Sequence, residues 1–95
     1  MITKFDLNQV LYNHGDMANL PGWYKITEIK IDSWGINYKI EEINGERQSW
    51  IPEVYIHDID KGNGSTRIVT KEAKEKLDEE KKLKLKALYA KYNKW

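Results

Sequence analysis

Residues Trp50 to Ile56, reading Trp-Ile-Pro-Glu-Val-Tyr-Ile, bring a Trp, a Pro and a Tyr within six positions. Flat aromatic rings beside a prolyl ring form a surface suited to gripping another chain. Other side chains able to do chemistry are few. His14 and His57 are the only imidazoles, and the chain has no cysteine, which removes disulfides, thiolate chemistry and cysteine-type zinc sites together. The run from Asp58 to Gly64 has the look of a calcium loop, but its register fails. With Gly64 at the invariant glycine position, Ile59 and Lys61 fall on the first two ligand positions. With Asp58 first, Asn63 stands where glycine is needed and Val69 where the bidentate Glu belongs. The segment therefore reads as a polar linker. His57 and Asp58 are neighbours on a strand, so they point to opposite faces, and no nucleophile accompanies them. The expectation is a protein that is not an enzyme and has no cofactor and no metal.

The charge is unevenly divided along the chain. Residues 1–70 hold seven Lys or Arg against ten Asp or Glu, a balance of −3, while residues 71–95 hold nine Lys against five acids, a balance of +4. Nucleic acid is bound mainly by neutralising phosphates, so the acidic part argues against a nucleic-acid groove there and leaves that role to the basic tail. Arginine occurs only at Arg47 and Arg67, and Lys, Ile, Asn and Tyr dominate, a bias typical of AT-rich genomes such as those of low-GC bacteria and their phages. The first residues lack the basic flank and apolar run of a signal peptide, and no stretch approaches the ~18 apolar residues of a membrane span. A cytoplasmic protein without a membrane role is expected.

Positioning the aromatics requires strands. From Asn8 to Ile59 the chain is rich in Ile, Val, Tyr and Trp, which suit a pleated, half-buried surface. Asn44-Gly45 predicts a two-residue type I′ turn, pairing Ile43 with Glu46, Glu42 with Arg47, Ile40 with Ser49, Lys39 with Trp50 and Tyr38 with Ile51. A turn at 32–35 pairs Ile31 with Ile36, Ile29 with Tyr38 and Glu28 with Lys39. Alternation then puts Ile29, Ile31, Ile36, Tyr38, Ile40 and Ile51 on the core face, with Trp50 looking outward. Trp34 falls at a turn tip, where burial is hard.

After the Gly-rich break at 61–65 the pattern becomes helical, with Thr70 as N-cap and a helix from about Lys71 to about Asn93. Ala73, Leu77, Leu85, Leu88, Tyr92 and Trp95 share one stripe, with Tyr89 at its edge. Lys81 and Lys84 interrupt the stripe, so the last three turns are expected to carry most of the packing and the N-terminal half to project. The predicted organisation is a β-barrel over residues 3–60, a linker over 61–69 and a C-terminal amphipathic helix over 70–95.

The assembled motifs resemble the Src-homology-3 family of small barrels. Val10-Leu11-Tyr12 is similar to that family's opening Ala-Leu-Tyr, Gly22-Trp23-Tyr24-Lys25-Ile26 to its Trp-Trp strand, and Ile51 to Ile56 to its closing Pro-x-x-Tyr-Val element. The resemblance covers about half of the chain. It implies a mainly β fold, a small five-stranded barrel plus the helix, in which Tyr12, Trp23, Pro52 and Tyr55 line a groove for an extended proline-bearing ligand.

These readings converge on a non-catalytic protein-binding module, with Tyr12, Trp23, Trp34, Trp50, Pro52 and Tyr55 as partner-binding residues. A small phage or mobile-element product that binds and modulates a host protein fits the composition. The alternative is a nucleic-acid-binding accessory protein, with Lys81, Lys82, Lys84, Lys86 and Lys91 on phosphates. A further expectation is homo-oligomer formation through Leu85, Leu88, Tyr92 and Trp95.

Overall fold

The computed structural model describes residues 2–15, 21–62 and 66–92. The elements in chain order are β1 (Val10–Asn13), β2 (Gly22–Asp32), β3 (Gly35–Glu42), β4 (Gln48–Pro52), a 3-10 turn (Glu53–Tyr55), β5 (Ile56–His57), β6 (Ile68–Thr70) and α1 (Lys71–Tyr92). The fold is mostly β with one C-terminal helix. Its six strands form one sheet in the order β4-β3-β2-β1-β6-β5, curled into a half-barrel. The count is thus six rather than five. The extra strand, β6, straddles the end of the segment read as a linker over 61–69 and Thr70, read as the start of the helical segment; it pairs antiparallel with β1 and parallel with β5. Backbone pairing on both sides accounts for a strand so short in a Gly-flanked segment.

Both hairpins adopt the registers predicted from alternation. Ile31 faces Ile36, Ile29 faces Tyr38 and Glu28 faces Lys39 across β2 and β3. Tyr38 faces Ile51, Lys39 faces Trp50 and Ile40 faces Ser49 across β3 and β4. The Asn44-Gly45 turn is not type I′, however. Neither residue has positive φ, and the ladder closes at Glu42, whose N–H donates to the Arg47 carbonyl at 2.8 Å. The N–H of Ile43 donates instead to the Trp23 carbonyl at 3.0 Å, so β2 competes for the group that a tight turn would have used to pair Ile43 with Glu46. In the other hairpin Gly35 has φ 129°, and the Asp32 carboxylate accepts from the Trp34 N–H at 2.8 Å, anchoring the turn.

A bulge between Ile26 and Glu28 explains the three-residue gap between Ile26 and Ile29. Tyr24 and Ile26 point inward before it, and odd-numbered residues take the inner face after it. The core on that face comprises Phe5, Leu11, Tyr24, Ile26, Tyr38, Ile40, Ile51, Ile56 and Ile68, with Ile29 and Ile36 packed against it. Ile31, expected in the core, is half exposed because the sheet runs past the core towards the Trp34 turn.

The helix begins directly from β6. Thr70 ends the strand, and its Oγ1 accepts from the Ala73 N–H at 3.2 Å, the cap expected from sequence. Ala73 is buried where α1 meets the outer face of β1 and β6, with Val69 also fully buried, and Leu77 is half-buried beside Asp58, Ile59 and Asp60. From Asp78 to Tyr92 every residue is exposed. The packing is therefore the reverse of the expectation: the first two turns dock and the remainder projects. A helix of 22 residues is about 33 Å long, more than the short strands beneath it can cover once Thr70 has fixed its start.

Candidate binding surfaces

The outer face of the sheet carries the first aromatic cluster. Tyr12 on β1 pairs with Trp23 on β2, and their rings meet edge-on with centroids 4.8 Å apart. The His14 ring packs on the other side of Tyr12 at 5.0 Å, and Lys74 Nζ from α1 lies 4.4 Å from the Tyr12 centroid. Tyr12 is thus half-buried between sheet and helix, while Trp23 keeps 38% of its surface. The cluster joins an ammonium group, two aromatic rings and an imidazole.

His14 is held by a partner that sequence reading missed. Its Nε2–H donates to Asp60 Oδ2 at 2.7 Å, and the Asp60 side chain has no exposed surface. Asp60 Oδ1 accepts from the Gly62 N–H at 2.9 Å and from Thr66 Oγ1 at 3.4 Å. Burial alone would raise the Asp60 carboxyl pKa, but these donors and His14 outweigh it and hold the group below the usual carboxylate range. Both oxygens that a calcium-loop reading would assign to a cation are taken by protein donors. Residues 14 and 60 are 46 positions apart, and no local pattern links them. Asp58, in the bend after β5, faces Lys4, whose Nζ is 3.8 Å from its Oδ2.

A second polar assembly closes the opposite end of the core. The Tyr38 hydroxyl donates to Glu53 Oε2 at 2.6 Å and accepts from the Phe5 N–H at 3.2 Å. The same Glu53 oxygen accepts from the Lys4 N–H at 3.1 Å. Burial, then the Glu53 bond, push the Tyr38 pKa up to about 12. The Tyr38 bond, then the Lys4 N–H, hold Glu53 below its ordinary value. The group ties the N-terminal segment and the 3-10 turn to β3.

The six residues expected to bind a partner do not form one groove. Tyr12 and Trp23 touch, and the Trp23 carbonyl is bonded at Ile43, at one end of β3. Pro52 pairs with Asn37 near the other end, six residues away, or about 20 Å along the strand. Tyr55 follows in the 3-10 turn with half of its surface exposed, and Trp34 stands at the hairpin tip, 93% exposed. Trp50 looks outward from β4, 47% exposed, as its register requires.

Two further surfaces stand out. On the projecting part of α1, Leu83, Leu85, Leu88, Tyr89 and Tyr92 retain 47% to 64% of their surface. Lys81, Lys82, Lys84, Lys86 and Lys91 are exposed along the same stretch, which holds no acidic residue from 81 to 92. Trp95 lies outside the described residues. The other surface is a half-open cleft of about 330 Å³ at the mouth of the curled sheet, between β4 and the ends of β1 and β6.

The fold and these surfaces define a small β-rich domain with a helical extension. Compared with known protein families, curated proteins and solved structures, the chain has no match. No helix among the described residues is long and apolar enough to cross a membrane.

Proposed function

We propose that this chain is a non-catalytic protein-binding module: a Src-homology-3-like barrel, left open along one side, that presents a partner-binding helix. The observation that carries this reading is the helix itself. Five large apolar side chains keep 47% to 64% of their surface within ten residues, on a segment whose every residue is exposed among the described residues. An isolated helical stretch of that length is marginal in water, so it gains from a partner that covers it. Exposed large apolar residues gathered on one element mark association sites in folded proteins. Trp34 and Trp50 supply additional outward rings on the barrel. The setting proposed is the cytoplasm, with a phage or mobile-element protein acting on a host protein.

The test is capture of partners from the native host by the immobilised chain, compared with the Leu85→Asp, Leu88→Asp double variant. Loss of a specific partner in the variant, with an unchanged melting transition, supports the reading. Identical capture by both proteins refutes it. Light scattering on the same pair separates a second copy of the chain from a foreign partner.

The unbroken positive charge of residues 81–92 favours one alternative, phosphate contact by Lys81, Lys82, Lys84, Lys86 and Lys91. Binding to DNA or RNA that falls steeply with salt, and less steeply once three of these lysines are neutralised, would put that reading first.

A further inference from the structure

The only two arginines of the chain, twenty residues apart in sequence, both rim the cleft at the mouth of the half-barrel. Arg47 leads into β4 and Arg67 into β6, and the floor between them is the edge of the apolar core, where the buried Tyr24, Ile40, Ile51 and Ile68 each keep 7% or less of their surface. Asn13, Gln48 and Ser49 complete the polar rim. No acidic side chain lines the cleft among the described residues; Glu42 lies in the adjoining hollow, which it shares with Arg47 and Gly22. The Arg47 guanidinium makes no ion pair with Glu42 among the described residues, although their backbones are bonded across the hairpin.

The wall formed by β4 is a strand edge. In the sheet order β4 is terminal, paired with β3 alone. Because the Arg47 carbonyl accepts from Glu42, residues 47, 49 and 51 turn their backbone groups towards β3. Gln48 and Trp50 therefore turn theirs to the open side. Pro52 has no N–H, which ends the usable edge. The side chains of Arg47, Ser49 and Ile51 share the inner face, so a strand laid along this edge meets a guanidinium and an apolar floor on the same side.

From this edge, its apolar floor and the Arg47 guanidinium on the same face, we infer that the cleft is a docking site for an extended acidic segment of a partner protein, which adds as a strand to β4. Main-chain bonds to Gln48 and Trp50 supply the register. An apolar side chain sits over Ile51, and a carboxylate on the same face meets Arg47, with Arg67 across the opening. Arginine suits this role because its planar fork binds carboxylates in a fixed geometry. The site is distinct from the helix, so either surface can fail a test while the other stands.

The probe is a dye-labelled, end-capped peptide of seven residues with glutamates at both ends, valines third and fifth, and threonines between. It reads the same in both directions along one face, so it fits a parallel or an antiparallel strand. A second peptide carries lysines in place of the glutamates. Anisotropy titrations of the full chain should show the glutamate peptide binding about tenfold or more tightly than the lysine peptide. Arg47→Glu should reverse that preference. Amide exchange on the wild-type complex should slow at Gln48 and Trp50, a readout independent of any variant. Equal affinity for the two peptides, no binding up to about 1 mM, or protection confined to other strands overturns the inference. An eight-nucleotide oligothymidylate that binds through Arg47 while the peptide stays inert overturns it as well.

Discussion

The Tyr38 hydroxyl, fully buried on β3, donates a 2.6 Å hydrogen bond to Glu53 in the 3-10 turn after β4. Phe5 and Lys4 complete the arrangement through their backbone N–H groups. Three hydrogen bonds centred on this pair thus hold three chain segments together. Tyr38→Phe should cost about 1.5–3 kcal/mol, because it removes the bond to Glu53 and orphans the Phe5 N–H. Urea denaturation of the two proteins checks this.

The same pair sets two pH limits. Tyr38 titrates near 12 when folded and near 10 when unfolded, so its contribution is complete below pH 10 and declines as pH rises towards 12. Glu53 is depressed in the folded state, so its contribution is present above the ordinary carboxylate range and is lost as pH falls through the folded value. Tyr38→Phe should flatten the alkaline limb of stability against pH. A limb of unchanged slope would assign it to another group.

Asp60 behaves like Glu53 in sign but organises a different region. Asp60→Ala should cost about 2 kcal/mol or more, since it strands the Gly62 N–H and the His14 imidazole together. Asp60→Asn should remove part of the acid sensitivity, because the depressed carboxyl no longer titrates. Denaturation at pH 7 and pH 3 measures both effects.

The two hairpin glycines should respond differently. Gly35 has positive φ, so Gly35→Ala is expected to cost about 1 kcal/mol or more although the space around it is open. Gly45 lacks positive φ, and a β-carbon there first meets the Glu42 carboxylate, the far end of a flexible side chain that can swing aside. Gly45→Ala should stay within about 0.5 kcal/mol. The reverse order would mean that the Asn44-Gly45 turn is the strained one.

Trp34 projects from its hairpin with almost all of its surface exposed. Trp34→Ala should therefore change unfolding free energy by less than about 1 kcal/mol. If this ring joins the partner interface, the same variant should weaken partner binding by about 2 kcal/mol. Calorimetry and denaturant melts on one preparation separate the two roles.

The strand character of residues 8–59, the registers of both hairpins, the outward aim of Trp50 and the start of the helix were legible in the sequence, whereas β6 was not. Each rests on alternation, a turn residue or a cap, and those act within a few positions of the chain. The shape of the Asn44-Gly45 turn was not legible, because β2 competes for the Ile43 N–H from twenty residues away. The three-residue gap between Ile26 and Ile29 was the available sign of the bulge. Periodicity put Ala73 and Leu77 on one stripe, and these two are covered, yet only the short passage from β6 through Thr70 decided which end docks. The link between His14 and Asp60, the tie between Tyr38 and Glu53, and the meeting of Arg47 with Arg67 at one cleft belong to tertiary structure. They depend on how far the sheet curls and which ends it brings together, and that curl is set by the summed packing of the whole core.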